Sequence, residues 1–179
     1  LALDAIKKVL TFLPDSYAGD MEAREQMHYA QAEAGIAFSN GLLGIVHSLA
    51  HKTGVIFEKE IPHGCANAIY LPYATRFNAN DDPTRYVEIG HYLGMTGTDD
   101  EIVDEICAKV IEYNKKLSIP TSLQEYGIPE DEYKAKRDEI AENAMGDACT
   151  GANPREMTAD LFKKVLDSIY YGKLDELDY

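Results

Sequence analysis

Leu3, Ile6, Leu10 and Leu13 recur at helical spacing, which predicts an amphipathic helix from the first residues of the chain. No Ser, Thr, Asp or Asn stands ahead of that stripe as a cap, so the chain reads as one cut from a longer polypeptide or begun a residue or two late. Pro14 and a turn are expected to end this helix. Asp20 then stands where an N-cap belongs, before an alanine-rich helix reaching about Phe38. A third helix is predicted over about 40–53, with Gly54 as its C-terminal stop. Residues 55–63 read as a connection with weak strand character. A fourth helix follows from Gly64 and should bend or end near Pro72, because proline removes an N–H and crowds the preceding turn. Asp82-Pro83 pairs a cap with a proline suited to a first helical turn, opening a helix to about Leu93. Thr98-Asp99-Asp100-Glu101 is a capping box, and Ile102, Ile106, Val110, Tyr113 and Leu117 form the stripe behind it. Pro129-Glu130-Asp131 starts a helix to about Met145; Thr158 caps the last, which ends near Gly172. With no alternating strand, repeat or low-complexity linker, the pattern predicts an all-α helical bundle of about seven to nine helices.

Length and composition narrow the class. At 179 residues the chain fits one domain, and 45% hydrophobic residues suffice for a core without disulfides. Seventeen basic against 31 acidic residues give a net charge of −14. That balance repels phosphate backbones and anionic lipid, so no nucleic acid and no membrane are expected as partners. No run approaches the ~18 apolar residues of a span, and no basic-then-apolar leader opens the chain. Cys65, Cys107 and Cys149 form no CxxC pair; three sparse thiols point to a reducing, cytoplasmic setting.

Three of the five histidines, His47, His51 and His63, fall close together in sequence. His47 and His51 lie four apart and share a helix face, so their rings can converge on one ion or substrate. The spacing is that of HExxH, but Ser48 stands where a zinc hydrolase needs its glutamate. His63, between Pro62 and Gly64, sits at the mouth of the next helix. Imidazole suits Zn, Fe, Cu and Ni, so a divalent transition metal is one reading. The other is a helix carrying Leu42, Leu43, Ile45, Val46 and Leu49 that buries two histidines against backbone or water. Gly35, Gly41, Gly44 and Gly54, with Ala50, suit either a close ligand or tight helix packing. His28 and His91 lack a partner pattern and read as surface or capping residues. The stretch 147–155 holds too much turn chemistry for an element interior. There Cys149 could line a pocket or act as a nucleophile, though no cationic helper for a thiolate is evident; Asn153 could cap the turn that follows it.

The run 35–51, with Gly41-Leu42-Leu43-Gly44-Ile45-Val46-His47-Ser48-Leu49-Ala50-His51 at its end, resembles the signature of iron-containing (group III) alcohol dehydrogenases. So do Pro62-His63-Gly64-Cys65-Ala66-Asn67-Ala68-Ile69-Tyr70-Leu71-Pro72, Arg76-Phe77-Asn78 and Asn153-Pro154-Arg155. The resemblance covers the chain in order and implies the C-terminal metal-binding helical domain of the dehydroquinate synthase-like fold, without the nucleotide-binding domain. It implies His47 and His63 as two ligands of Fe2+, or Zn2+, with an aspartate and a further histidine upstream of Leu1. His51 matches a histidine that assists proton transfer, and Phe38 and Cys149 match positions lining the substrate pocket. The implied activity is NAD- or NADP-linked oxidation of a small primary alcohol to an aldehyde, or the reverse. The connection from His51 to His63 is about two residues longer than the family pattern, around Glu58-Lys59-Glu60. The segment alone is expected to be inactive and, with faces uncovered, to form a homo-oligomer such as a dimer. A non-catalytic helical module that binds a metal or a partner is the alternative.

Overall fold

A computed structural model describes residues 1–177. Helices α1 (Ala2–Tyr17) and α2 (Met21–Gly41) form an antiparallel pair, α2 opening where Asp20 Oδ1 accepts the Ala23 N–H at 2.7 Å. The rest assembles around α4 (His63–Ala79), against which α3 (Ile45–Thr53), α6 (Asp99–Lys116) and α9 (Ala159–Tyr171) pack. Helix α5 (Thr84–Tyr92) leans on α6, and α8 (Glu130–Met145) closes over α3 and α9. Single turns at Leu123–Tyr126 (α7), Thr150–Ala152 and Leu174–Glu176 complete the chain. The all-α expectation holds: among the described residues there is no strand, and no helix is long and apolar enough to cross a membrane.

Both internal prolines depart from the expected breaks, and for one reason. A proline at position i leaves the carbonyl of i−4 without its helical donor. In α1, Pro14 frees Leu10 O, which accepts the Tyr113 hydroxyl instead. In α4, Pro72 frees Ala68 O, which accepts Asn114 Nδ2 at 2.7 Å. Neighbouring side chains of α6 thus supply the two missing donors, and both helices run through their prolines.

One other expectation is corrected, one connection is borne out and one short turn is added. The helix predicted from Asn40 is interrupted at Leu42–Gly44: α2 ends at Gly41, Leu42 takes φ 63°, and α3 begins at Ile45. Residues 55–62 form turns, not a strand; Phe57 and Ile61 are buried and Ile61 N–H reaches Gly54 O at 3.0 Å. The single turn α7, capped by Ser122 and stopped at Gly127 with φ 99°, carries too few residues to show a period. Residues 58–60 are held down by that region: Lys59 Nζ donates to Tyr126 O at 2.5 Å and Tyr126 Oη to Glu60 O at 2.7 Å.

Asn153 corrects a further reading. Its side chain reaches beyond its own loop: Oδ1 accepts Ile45 N–H at 3.3 Å and Asn78 Nδ2 at 3.0 Å, while its Nδ2 donates to Asn78 Oδ1 and, within the loop, to Arg155 O, each at 2.8 Å. It thereby supplies the cap that Gly44 lacks at the N-terminus of α3. A Cβ on Gly44 would lie 2.8 Å from Asn153 Oδ1, whereas nothing lies within 4 Å of one on Gly35 or Gly41. Close approach explains one of these glycines only.

Tyr70, Tyr133 and Tyr170 are fully buried, and each finds a partner for its hydroxyl: Thr53 Oγ1 at 2.8 Å, Asp167 at 2.6 Å and Ile128 O at 3.0 Å respectively. Asn114→Ala would leave the Ala68 carbonyl buried without a donor. It should cost about 1–3 kcal/mol, read as a lower urea midpoint. Gly35→Ala, in open space inside α2, should gain up to about 1 kcal/mol; an unchanged midpoint for Asn114→Ala would contradict the account of Pro72.

Candidate metal centre

Helix α3 carries His47 and His51 one turn apart, and α4 begins with His63, so packing α3 on α4 decides where the imidazoles meet. They meet closely. Ring centroids of His47 and His63 are 5.3 Å apart, those of His51 and His63 also 5.3 Å and stacked at 12°, and those of His47 and His51 6.2 Å. Both Nε2 atoms of His47 and His63 face a single amide nitrogen, Asn67 Nδ2, at 3.3 and 3.0 Å. The two ring nitrogens therefore point at one place, and a neutral imidazole that holds its proton on Nδ1 presents the Nε2 lone pair there.

That arrangement fits a divalent transition metal. The donors are two imine nitrogens, the favoured ligands of such ions. Beside them Asn67 Oδ1 is buried without a hydrogen-bond partner among the described residues, an orphan of the kind that marks a site completed by something else. Burial pushes His47 below the ordinary imidazole pKa, charge on His63 or His51 pushes the same way, and Asp147 opposes. The net effect keeps the His47 lone pair available at neutral pH.

Asp147, just past α8, forms the second half of the cluster. Its Oδ2 lies 3.1 Å from His51 Nδ1 and 3.0 Å from Lys52 Nζ, and its Oδ1 accepts Cys149 N–H at 3.0 Å. The side chain is only 9% exposed. Burial alone would raise its pKa, but the Cys149 N–H, Lys52 and His51 hold it well below the usual carboxylate range. His51, Asp147 and Cys149 offer ligand atoms within 4.8 Å of one another. Two features argue against a metal there. The Lys52 ammonium already occupies Oδ2, and burial followed by the Asp147 charge pushes the Cys149 thiol up, away from thiolate. A nucleophilic Cys149 is disfavoured for the same reason.

The structure therefore brings His47, His51, His63 and Cys149 into one neighbourhood. Phe38 is placed differently, on the last full turn of α2 before the Leu42–Gly44 break, 47% exposed and outside the buried core. His28 and His91 are exposed, His91 Nδ1 lying 3.3 Å from Met95 O at its helix end. Sequence reasoning gave no role to Asn67, Asp147 or Lys52. Asn67 stands four residues after His63 on the same helical face, a spacing that could have exposed it; Asp147 lies 96 positions from His51, and no local pattern links them.

Comparison with known proteins matches nearly the whole chain. The profile of the Fe-containing alcohol dehydrogenase family, C-terminal, matches residues 1–170. An NADPH-dependent butanol dehydrogenase of Clostridium saccharobutylicum is 54% identical over 180 residues, covering 100% of this chain and 45% of the relative. A bifunctional aldehyde-alcohol dehydrogenase of Escherichia coli K12 is 38% identical, covering 96% of this chain and 21% of that protein. An iron-containing alcohol dehydrogenase structure from Thermococcus thioreducens superposes with a TM-score of 0.85 at 37% identity, over 96% of this chain and 43% of that one. The chain thus spans less than half the length of these relatives.

A carboxylate held below its unfolded pKa contributes stability above about pH 4, and that stability is lost as pH falls through the folded value. Asp147→Asn should therefore lower the unfolding free energy by about 1–3 kcal/mol at pH 7. The gap to the parent should narrow at pH 3. Urea unfolding at the two pH values measures it, and an equal gap at both would contradict the ion-pair reading.

Proposed function

Because the chain belongs to the C-terminal family of Fe-containing alcohol dehydrogenases, we propose that it is the metal-holding half of an NAD(P)-linked enzyme interconverting a primary alcohol and an aldehyde. The observation that carries the reading is the convergence of His47 Nε2 and His63 Nε2 on one amide nitrogen. Fe2+, or Zn2+, held there would supply Lewis-acid polarisation of the alcohol oxygen. The remaining ligands and the nicotinamide site are assigned to polypeptide beyond these residues: among those described there is no strand, hence no βαβ unit of the kind that binds dinucleotides.

The chain's own side chains do the rest. His47 and His63 bind through neutral imidazoles and fix the position of the reacting oxygen. His51, stacked on His63 and 41% exposed, is the group proposed to take the hydroxyl proton during alcohol oxidation and return it during reduction. Cys149, beside Asp147, and Phe38, at the end of α2, border the substrate's path. Butanol dehydrogenase is the relative's activity; for this protein a small, largely apolar alcohol or aldehyde is the proposed substrate class. The three free thiols suit a reducing cytoplasm, and the exposed Ile36 on α2 and Leu42 just past its end suit a homodimer.

Cobalt(II) titration of the 179-residue chain tests the reading. One ion should bind, with affinity at least about tenfold weaker in His47→Ala and in His63→Ala, and within a few-fold of the parent in His51→Ala. No NAD(P)-linked turnover is expected from the chain alone. Equal binding by parent and His47→Ala would overturn the site.

A further inference from the structure

His51 can move a proton in one direction only if one ring nitrogen is protonated and the other free, and a histidine without a fixing partner carries its proton on either. We propose that Asp147 is the positioning residue for His51: its carboxylate takes the Nδ1–H and leaves Nε2 as the basic nitrogen. This rests on the role proposed for His51 above.

The geometry is that of a carboxylate built to orient a ring. Oδ2 faces His51 Nδ1 at 3.1 Å, inside hydrogen-bonding reach. The carboxylate cannot swing, because Oδ1 is held by Cys149 N–H at 3.0 Å and Oδ2 is also gripped by Lys52 Nζ at 3.0 Å. Its backbone is fixed as well: Asp147 N–H donates to Ala144 O at 3.1 Å, and the same carbonyl accepts the Thr150 hydroxyl at 2.6 Å. The ring it addresses is set in plane by stacking on His63. The bond is shielded on the Asp147 side, which is 9% exposed, while the His51 side chain is 41% exposed. Lys52 and Cys149 N–H keep the carboxylate ionised, so it orients the imidazole and stabilises its charged form without itself taking the proton. The same Lys52 explains why this trio of His, Asp and Cys is a relay support and not a second metal site.

The test reads the tautomer directly, by nitrogen-15 NMR of the 179-residue chain labelled in its histidine rings, at about pH 8.5, two units above the ordinary imidazole pKa. In the parent, His51 should carry its proton on Nδ1. In Asp147→Asn, made in the Lys52→Met background so that no ammonium draws the amide oxygen to the Oδ2 side, the Cys149 N–H keeps that oxygen where Oδ1 was, the NH2 group faces His51 and the ring should switch to Nε2–H. In Lys52→Met the Nδ1–H form should persist. A parent ring protonated at Nε2, a folded double variant that keeps Nδ1–H, or a switch in Lys52→Met alone would each overturn the proposal. Should the double variant fail to fold, the parent and Lys52→Met spectra decide. Cobalt(II) titration separates this from the proposed function: parent and Asp147→Asn should bind within about threefold of each other. A parent that binds no cobalt removes the proposed function and leaves the tautomer result standing, whereas loss of cobalt confined to Asp147→Asn would place the carboxylate in the metal shell and overturn the positioning role.

Discussion

The site depends on α4 passing straight through Pro72. A helix broken there would separate the turn that carries His63 and Asn67 from the buried half that carries Tyr73, Ala74, Phe77 and Asn78. The break is averted by one side-chain bond, from Asn114 to the carbonyl that Pro72 leaves without a donor. Asn114 is itself buried, where an unsatisfied carbonyl costs most. Given a continuous α4, Asn78 at its far end meets Asn153, Asn153 caps α3, and α3 delivers His47 to the same amide that His63 faces. The histidine cluster is thus assembled by backbone satisfaction at two distant points, and its imidazoles are set by which carbonyls and N–H groups had to be paired.

Within the cluster, charge divides the labour. His47 is half-buried and pushed toward its neutral form, which suits a ligand. His51 lies against a carboxylate that is ionised and already neutralised by Lys52, which suits a group that gains and loses a proton. Moving Lys52 away would make the His51–Asp147–Cys149 trio a plausible cation site by geometry alone; with the ammonium present, that role is filled. The four-residue spacing of His47 and His51 thus sets two differently surrounded imidazoles on one helix face, and the proposed function gives them different chemistries.

Much of this was legible in the chain. Caps at Asp20, Thr98 and Thr158 and the stop at Gly172 are local, and local chemistry decides them. The family resemblance rested on runs around His47, His63 and Asn153, and the fold and family bear it out. What escaped was set by partners far along the chain. Pro14 and Pro72 read as breakers because the donors that rescue them sit on α6, 103 and 46 positions from the carbonyls they serve. Asn153 read as the cap of its own loop because nothing nearby announces that its amide crosses to Ile45 and Asn78. The interruption at Leu42–Gly44 was hidden by an apolar run that fits a helix; the left-handed Leu42 breaks it where α3 must turn toward α4.

X-ray absorption at the metal edge of the zinc-loaded chain tests the central claim most directly. Imidazole scatterers with zinc–nitrogen distances of about 2.0–2.1 Å and no sulfur are predicted, the ion lying between His47 and His63. A sulfur scatterer at about 2.3 Å would place it at Cys149 instead and contradict the account.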